Sequence, residues 1–376
     1  MQIVDNYINK LLTSMPDKPL WNIEQIRQGK APHWNYIDGC MMNSLMALYE
    51  QTKDEKYLNF VKNFVNYYIS EDGSILGYDK EKYSVDDVAE SRILFDLYKY
   101  FGDEKYKKAI ELSYSQIKTH PRTSEGSFWH KLIYPNQVWL DGLYMMQVFY
   151  MRYETTFNGY KNYADIKLQY QNVRKHMFNE KKGLHYHGYD CSREAFWCDK
   201  ETGVSKNFWL RAIGWHIVSL VDILGYMDEQ IYEDYAYYKS LLKEAIDGVL
   251  KYQDKESKMF YQVVDKGNKP GNYLETSGSS MIAYAILKGV RLRVLPDRYQ
   301  KIGLEIFNGI CNKYLTEKEG DLNLGGICLV AGLGPENNKR RDGTFKYYIS
   351  EPVVENDAKG VGPFVMAYTE VIRIKD

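Results

Sequence analysis

The chain has 376 residues, with 49 Lys and Arg against 50 Asp and Glu and a formal net charge of -1; the charges are interspersed, which argues against nucleic acid or an anionic membrane as partner. No apolar run is long enough to cross a membrane, and the opening MQIVDNYINKLLTSMPDKPL lacks the basic-then-apolar order of a secretory signal. Five scattered cysteines without zinc-ligand spacing suit a reduced, cytoplasmic protein, while 35 tyrosines and 7 tryptophans supply core packing and flat amphipathic faces on which sugars stack.

In chain order, the first predicted inner helix is CMMNSLMALY (40–49), behind the polar cluster HWNYIDG (33–39). The stretch LYEQTKDEKYLNFVKNFVNYYI (48–69) recurs as LYKYFGDEKYKKAIELSYSQIK (97–118), an offset of 49 residues. Tyr57, Val61, Val65 and Tyr68 match Tyr106, Ile110, Tyr114 and Ile117, a helical spacing. Each unit reads as an apolar helix, a short acidic turn and an amphipathic helix, the pattern of an inner ring within an outer ring. The second inner helix, SRILFDLY (91–98), follows SVDDVAES (84–91). The third, GLYMMQVFYM (142–151), follows VWLDG (138–142), and the fourth, AIGWHIVSLVDIL (212–224), grows out of FWLRAIGW (208–215). The fifth, SSMIAYAILKGV (279–290), follows LETSGSS (274–280), and the sixth, GVGPFVMAYTEVI (360–372), follows ENDAKG (355–360). Six such helices, spaced roughly 50 to 80 residues apart, predict an all-α (α/α)6 barrel in one domain, residues 1–376, with an open solenoid as the alternative.

Between the helices, SFWHK (127–131), LHYHG (184–188) and MFYQV (259–263) read as short extended segments. They put His130, His187 and Gln262 at matched positions, expected at the rim of the open face. His185 and His187 alternate on one strand and point to opposite faces. No carboxylate-histidine ligand set accompanies them, so no metal is expected.

Asp141 stands inside an otherwise apolar run, NQVWLDGLYMMQVFY (136–150). It has two candidate roles there. One is a helix cap accepting from free N–H groups; the other is a carboxyl group set into a pocket lined by rings. Caps account for any single one of the six polar clusters. Six together, with Trp34, Trp139, Trp209 and Trp215 among them, favour a shared pocket at one end of the barrel.

RTSEGSFWHKLIYPNQVWLDGLYMM, GLHYHGYD, FWLRAIGWHIVSL, YQVVDKGN, LETSGSS and NDAKGVGPF together resemble glycoside hydrolase family 105, the unsaturated rhamnogalacturonyl hydrolases, and the related unsaturated uronyl hydrolases. The resemblance implies an (α/α)6 barrel without metal or cofactor. It also implies a substrate left by polysaccharide lyases, an oligosaccharide with a 4,5-unsaturated uronic acid at its non-reducing end. A proton goes to C4, water adds at C5, and the hemiketal collapses to release the next sugar. By the same resemblance Asp141 is the general acid/base and Asp86 a second carboxylate, with Asp87 beside it as an alternative. Tyr36, Lys131, Trp139, His187, Trp209, Arg211 and Trp215 would hold the unsaturated sugar. The basic insert GPENNKRRDGTFKYY (334–348) would form a rim loop tuning the downstream sugar.

This chemistry needs an acid that is neutral near pH 7, whereas a free Asp ionises near 4. Burial among rings and a second carboxylate both raise a carboxyl pKa, so Asp86 and Asp141 are expected to share a proton. Arg211 and His187 suit a carboxylate on the substrate; an internal salt bridge is the competing role for Arg211. An ordinary inverting glycosidase, a sugar epimerase using His130 and His187, and a non-catalytic sugar-binding protein stay open as alternatives.

Overall fold

The structure, a computed structural model, describes residues 2–375. Its helices are α1 (Gln2–Leu11), α2 (Ile23–Gln28), α3 (Tyr36–Thr52), α4 (Glu55–Asn66), α5 (Val85–Glu90), α6 (Ile93–Phe101) and α7 (Glu104–Thr119). They continue with α8 (Leu140–Gly142), α9 (Val148–Phe157), α10 (Tyr163–Met177), α11 (Leu210–Tyr226), α12 (Tyr232–Leu250), α13 (Thr276–Arg291), α14 (Arg298–Tyr314), α15 (Phe345–Ser350) and α16 (Ala358–Lys375). A π-turn, Leu143–Gln147, joins α8 to α9 into one inner helix.

The fold is the expected (α/α)6 barrel. The inner ring runs α3, α5–α6, α8–α9, α11, α13 and α16, each packed on the next, and closes where α16 meets α3. Five outer helices, α4, α7, α10, α12 and α14, follow their inner partners. The sixth position is filled from the other end of the chain: α1 lies against α16, with Tyr368 Oη donating to Asp5 Oδ1 at 2.7 Å.

The 49-residue repeat is a repeat of caps as well as of apolar stripes. Asp54 and Asp103 cap α4 and α7 by accepting from Lys56 and Lys105 N–H, each at 3.1 Å. Lys53 and Gly102 end the preceding helices in the left-handed conformation. Tyr49 and Tyr98 donate across the turn to Glu55 and Glu104. All eight matched apolar positions are buried.

Short hairpins occupy the end of the barrel where the inner helices start. The strand Gln137–Trp139 pairs antiparallel with Gly188–Asp190. The first N–H of each later inner helix is taken by a hairpin or loop carbonyl. Val85 donates to His130 O, Leu140 to His187 O, Leu210 to Gln262 O, Thr276 to Gly326 O and Ala358 to Trp21 O, at 2.8–3.2 Å. These bonds satisfy donors that a helix start leaves free. They also draw His130, His187 and Gln262 beneath the helix starts, so all three are buried instead of standing on the rim as the extended pattern had suggested.

Candidate active site

The capping role divides the six clusters. Asn35 Oδ1 caps α3 by accepting from Ile37 N–H at 2.8 Å, Glu275 Oε2 caps α13 through Gly278 N–H at 2.8 Å, and Asp357 Oδ1 accepts from Lys359 N–H at 3.0 Å. Asp141 is not a cap: it is the second residue of α8, behind Trp139, and no side chain caps that helix. Asp86 is likewise second in α5, where no side-chain cap forms. Their carboxyls are therefore free of the backbone, and both line one cavity of about 240 Å3.

The two aspartates sit in the same local frame. Each is paired with the histidine whose carbonyl receives the helix's first N–H. Asp141 Oδ2 lies 3.3 Å from His187 Nε2, and Asp86 Oδ1 lies 3.7 Å from His130 Nε2. Among the described residues neither Asp141 Oδ2 nor His187 Nε2 finds a hydrogen-bond partner, although both are buried. The other nitrogen of His187, Nδ1, is 2.7 Å from Tyr348 Oη, which fixes the ring. His130 stacks on Trp139 with ring centres 4.2 Å apart, and Tyr134 lies against the same indole at 4.8 Å.

Electrostatics separate the carboxyls. Burial opposes the charged form of Asp86, yet the Lys131 ammonium at 2.5 Å overrides it and holds this carboxyl below its ordinary range. Asp86 is thus ionised and does not share a proton as expected. Asp87 is pushed up to about 7, by burial first and then by the charge of Asp86, against the pull of Lys131. Burial lowers His130 to about 4, so it is neutral at pH 7. Burial, followed by the charge of Asp86, keeps the Tyr36 phenol well above its ordinary range and hence a donor.

Of the residues expected to hold a sugar, Tyr36, Lys131 and Trp139 line the cavity. His187 stands directly behind Asp141. Trp209, Arg211 and Trp215 are buried and do not line the cavity. Trp209 Nε1 donates to Gln262 Oε1 at 3.2 Å, and its ring backs His187 at 4.7 Å. Trp215 stacks on Tyr144 at 4.2 Å and meets the edge of Tyr36 from behind. The Arg211 guanidinium is committed inward, to Ser277 Oγ at 2.7 Å and to the Cys328 carbonyl, with the buried Glu275 carboxylate 3.6 Å away. The internal partner wins because Glu275, which caps α13, forms an ion pair with no other cation among the described residues. His185 faces the core against His216, ring centres 4.4 Å apart, so the strand alternation holds.

The sequence reading missed one wall altogether. Asn22, Glu24, Gln25, Gln28 and Lys30, from the N-cap of α2, the helix itself and the turn after it, line the cavity, as do Met145 and Arg341. Arg341 lies in the basic insert and had that much signal; the α2 wall had none, because its polar residues look like any solvated helix. Among the described residues no group of three or more His, Cys, Asp or Glu side chains suited to a metal occurs, and no helix of theirs is long and apolar enough to cross a membrane.

Comparison with known proteins adds to this geometry. The model of Glycosyl Hydrolase Family 88 matches residues 7–375. A solved glycoside hydrolase of family 105 from C. acetobutylicum ATCC 824 is 43% identical, covers 93% of this chain and 97% of its own, and superposes with a TM-score of 0.88. The unsaturated rhamnogalacturonyl hydrolase YesR of Bacillus subtilis is 25% identical over 265 residues, 69% of this chain and 72% of its own. The unsaturated glucuronyl hydrolase of Bacillus sp. GL1 shares the fold, with a TM-score of 0.64 at 14% identity over 90% of this chain and 87% of its own.

Proposed function

The chain belongs to Glycosyl Hydrolase Family 88, and on that premise we propose that it hydrates the C4=C5 bond of an unsaturated uronic acid at the non-reducing end of a lyase-generated disaccharide, most specifically an unsaturated rhamnogalacturonyl unit. Asp141 delivers a proton to C4 and, as carboxylate, takes one from the water that adds at C5. The hemiketal at C5 then opens and releases the downstream sugar. The observation that carries this reading is the Asp141 carboxyl itself. It reaches a ring-lined cavity, caps no helix, and has a buried oxygen without a hydrogen bond beside His187. Oδ2 is held against His187, and the part of the side chain that stays exposed faces the cavity, where a carboxyl can exchange a proton with a substrate carbon.

Asp86 serves as a charge partner of Lys131, and Asp87 as the reserve acid, supported by its pKa of about 7. Tyr36, Lys131 and Trp139 contact the sugar, and His187 positions Asp141. Rhamnogalacturonan as the source is supported by the likeness to YesR. One catalytic domain spanning 1–376 is part of the same proposal, supported by a core that runs through every inner helix. So is a cytoplasmic setting, supported by five thiols outside any disulfide.

The test follows the ultraviolet absorbance of the conjugated unsaturated uronate in lyase-generated disaccharides. Wild type is expected to abolish it, and Asp141→Asn to be slower by about 10²- to 10⁴-fold. Wild type inert on every unsaturated disaccharide but active on saturated glycosides would make the protein an ordinary glycosidase.

A further inference from the structure

We propose that Arg341, in the loop that follows the strand Ile327–Cys328, recognises the carboxylate of the sugar acid and so selects the free acid over its ester. This rests on the reading of the cavity as a uronate site. The cavity carries Asp86, Asp87, Asp141 and Glu24, so an anionic sugar entering it needs a cation that is not already neutralised. Lys131 is spent on Asp86, 2.5 Å away. Arg211 lies behind the wall on Ser277 and Glu275. Lys30, exposed, and Arg341 are the other Lys and Arg side chains of the lining.

Consecutive arginines part company here. Arg340 turns away and pairs with Glu351 at 2.7 Å. Arg341 has no ion pair among the described residues, and its buried Nε lacks a hydrogen-bond partner. The backbone around it is pinned: Gly334 N–H donates to Arg341 O at 2.8 Å, and Arg341 N–H to Asn338 O at 3.2 Å. Farther along, Asn207 Nδ2 donates to Gly343 O at 2.7 Å. Gly332 makes room for the guanidinium. A Cβ there would lie 3.2 Å from Arg341 Nη1 and 3.4 Å from the Trp139 ring. The guanidinium thus borders the indole that stacks on His130, next to Asp86. Its Nε–H faces the protein, and a planar guanidinium that lines the cavity without an ion pair among the described residues matches the two oxygens of a carboxylate, a geometry a lysine there would not reproduce.

The test is calorimetric, in an Asp141→Asn background that suppresses turnover. The probes are a 4,5-unsaturated uronyl disaccharide and its methyl ester. The free acid is expected to bind about 10- to 100-fold more tightly than the ester, as for a hydrogen-bonded charge pair. Arg341→Gln is expected to bring that ratio close to one, and Arg341→Lys to restore it in part. An unchanged ratio in Arg341→Gln, its loss in Lys30→Gln instead, or no preference in the parent overturns the proposal. Wild-type turnover is scored separately. If no unsaturated disaccharide is consumed while the binding ratio depends on Arg341, the hydration reading fails and this one stands. If turnover is normal and the ratio ignores Arg341, only this one fails.

Discussion

Asp86 and Asp87 are neighbours in one turn of helix, yet the cavity shifts their carboxyls in opposite directions. The Lys131 ammonium stabilises the anion of Asp86, while Asp87, farther from that compensation, is raised to about 7 by burial and by the Asp86 charge. A carboxyl with its pKa raised above the unfolded value of about 3.9 keeps its proton in the folded protein until pH passes about 7. Its contribution to stability therefore falls as pH rises from about 4 to 7 and is level above that window. If a neutral Asp87 is needed to admit an anionic sugar beside Asp86, kcat/KM declines above pH 7, and Asp87→Asn removes that alkaline limb. A limb that survives the substitution assigns the proton elsewhere. Sequence alone reached the cluster but not its division, because the spacing of two adjacent aspartates says nothing about which one a lysine 44 positions later will meet.

Inner helices pack closely enough that several contacts admit only glycine. A Cβ on Gly362 of α16 would stand 2.6 Å from the Cys40 carbonyl oxygen of α3, which is backbone and cannot turn aside. A Cβ on Gly214 of α11 would meet the Met281 sulfur at 2.6 Å, part of a flexible side chain, with Met281 Cβ at 3.1 Å and the Gly278 Cα at 3.3 Å. Gly362→Ala is therefore expected to cost at least about 2 kcal/mol, the scale of an overpacked core, and Gly214→Ala distinctly less. Urea denaturation midpoints measure both, and equal losses would mean that the α3–α16 contact yields as easily as a methionine. The elements themselves were legible: apolar period, acidic turns and the 49-residue repeat predict the helix pairs, and the caps follow from Asp54 and Asp103. The π-turn at Leu143–Gln147 was not, since no residue type in GLYMMQVFYM marks it. It lies directly behind Asp141, where such irregularities often occur in active sites.

At the scale of the molecule, the ring is closed by its two ends. Val4, Tyr7, Ile8 and Leu11 of α1 are buried, and Tyr7 Oη donates to Asn356 Oδ1 at 2.8 Å, just before α16. Tyr7→Ala is expected to destabilise the whole barrel by about 3–5 kcal/mol, as loss of a buried aromatic does. A melting midpoint within error of wild type would show α1 to be an accessory to the ring. The same closure carries α2 to the cavity wall, so the start of the chain helps shape a pocket whose carboxyls come from far along it. By itself the sequence determined the helix faces, the repeat and the chemical types at each helix start, because those follow from local periodicity and from the hydrogen-bonding needs of a helix terminus. Only the tertiary structure decided that Asp141 and Asp86 open into the cavity while Arg211, the second residue of its own helix in the same way, turns inward. That choice depends on which neighbour each side chain finds once the ring has closed: the open cavity for the aspartates, with Lys131 beside Asp86, and a buried glutamate for the arginine.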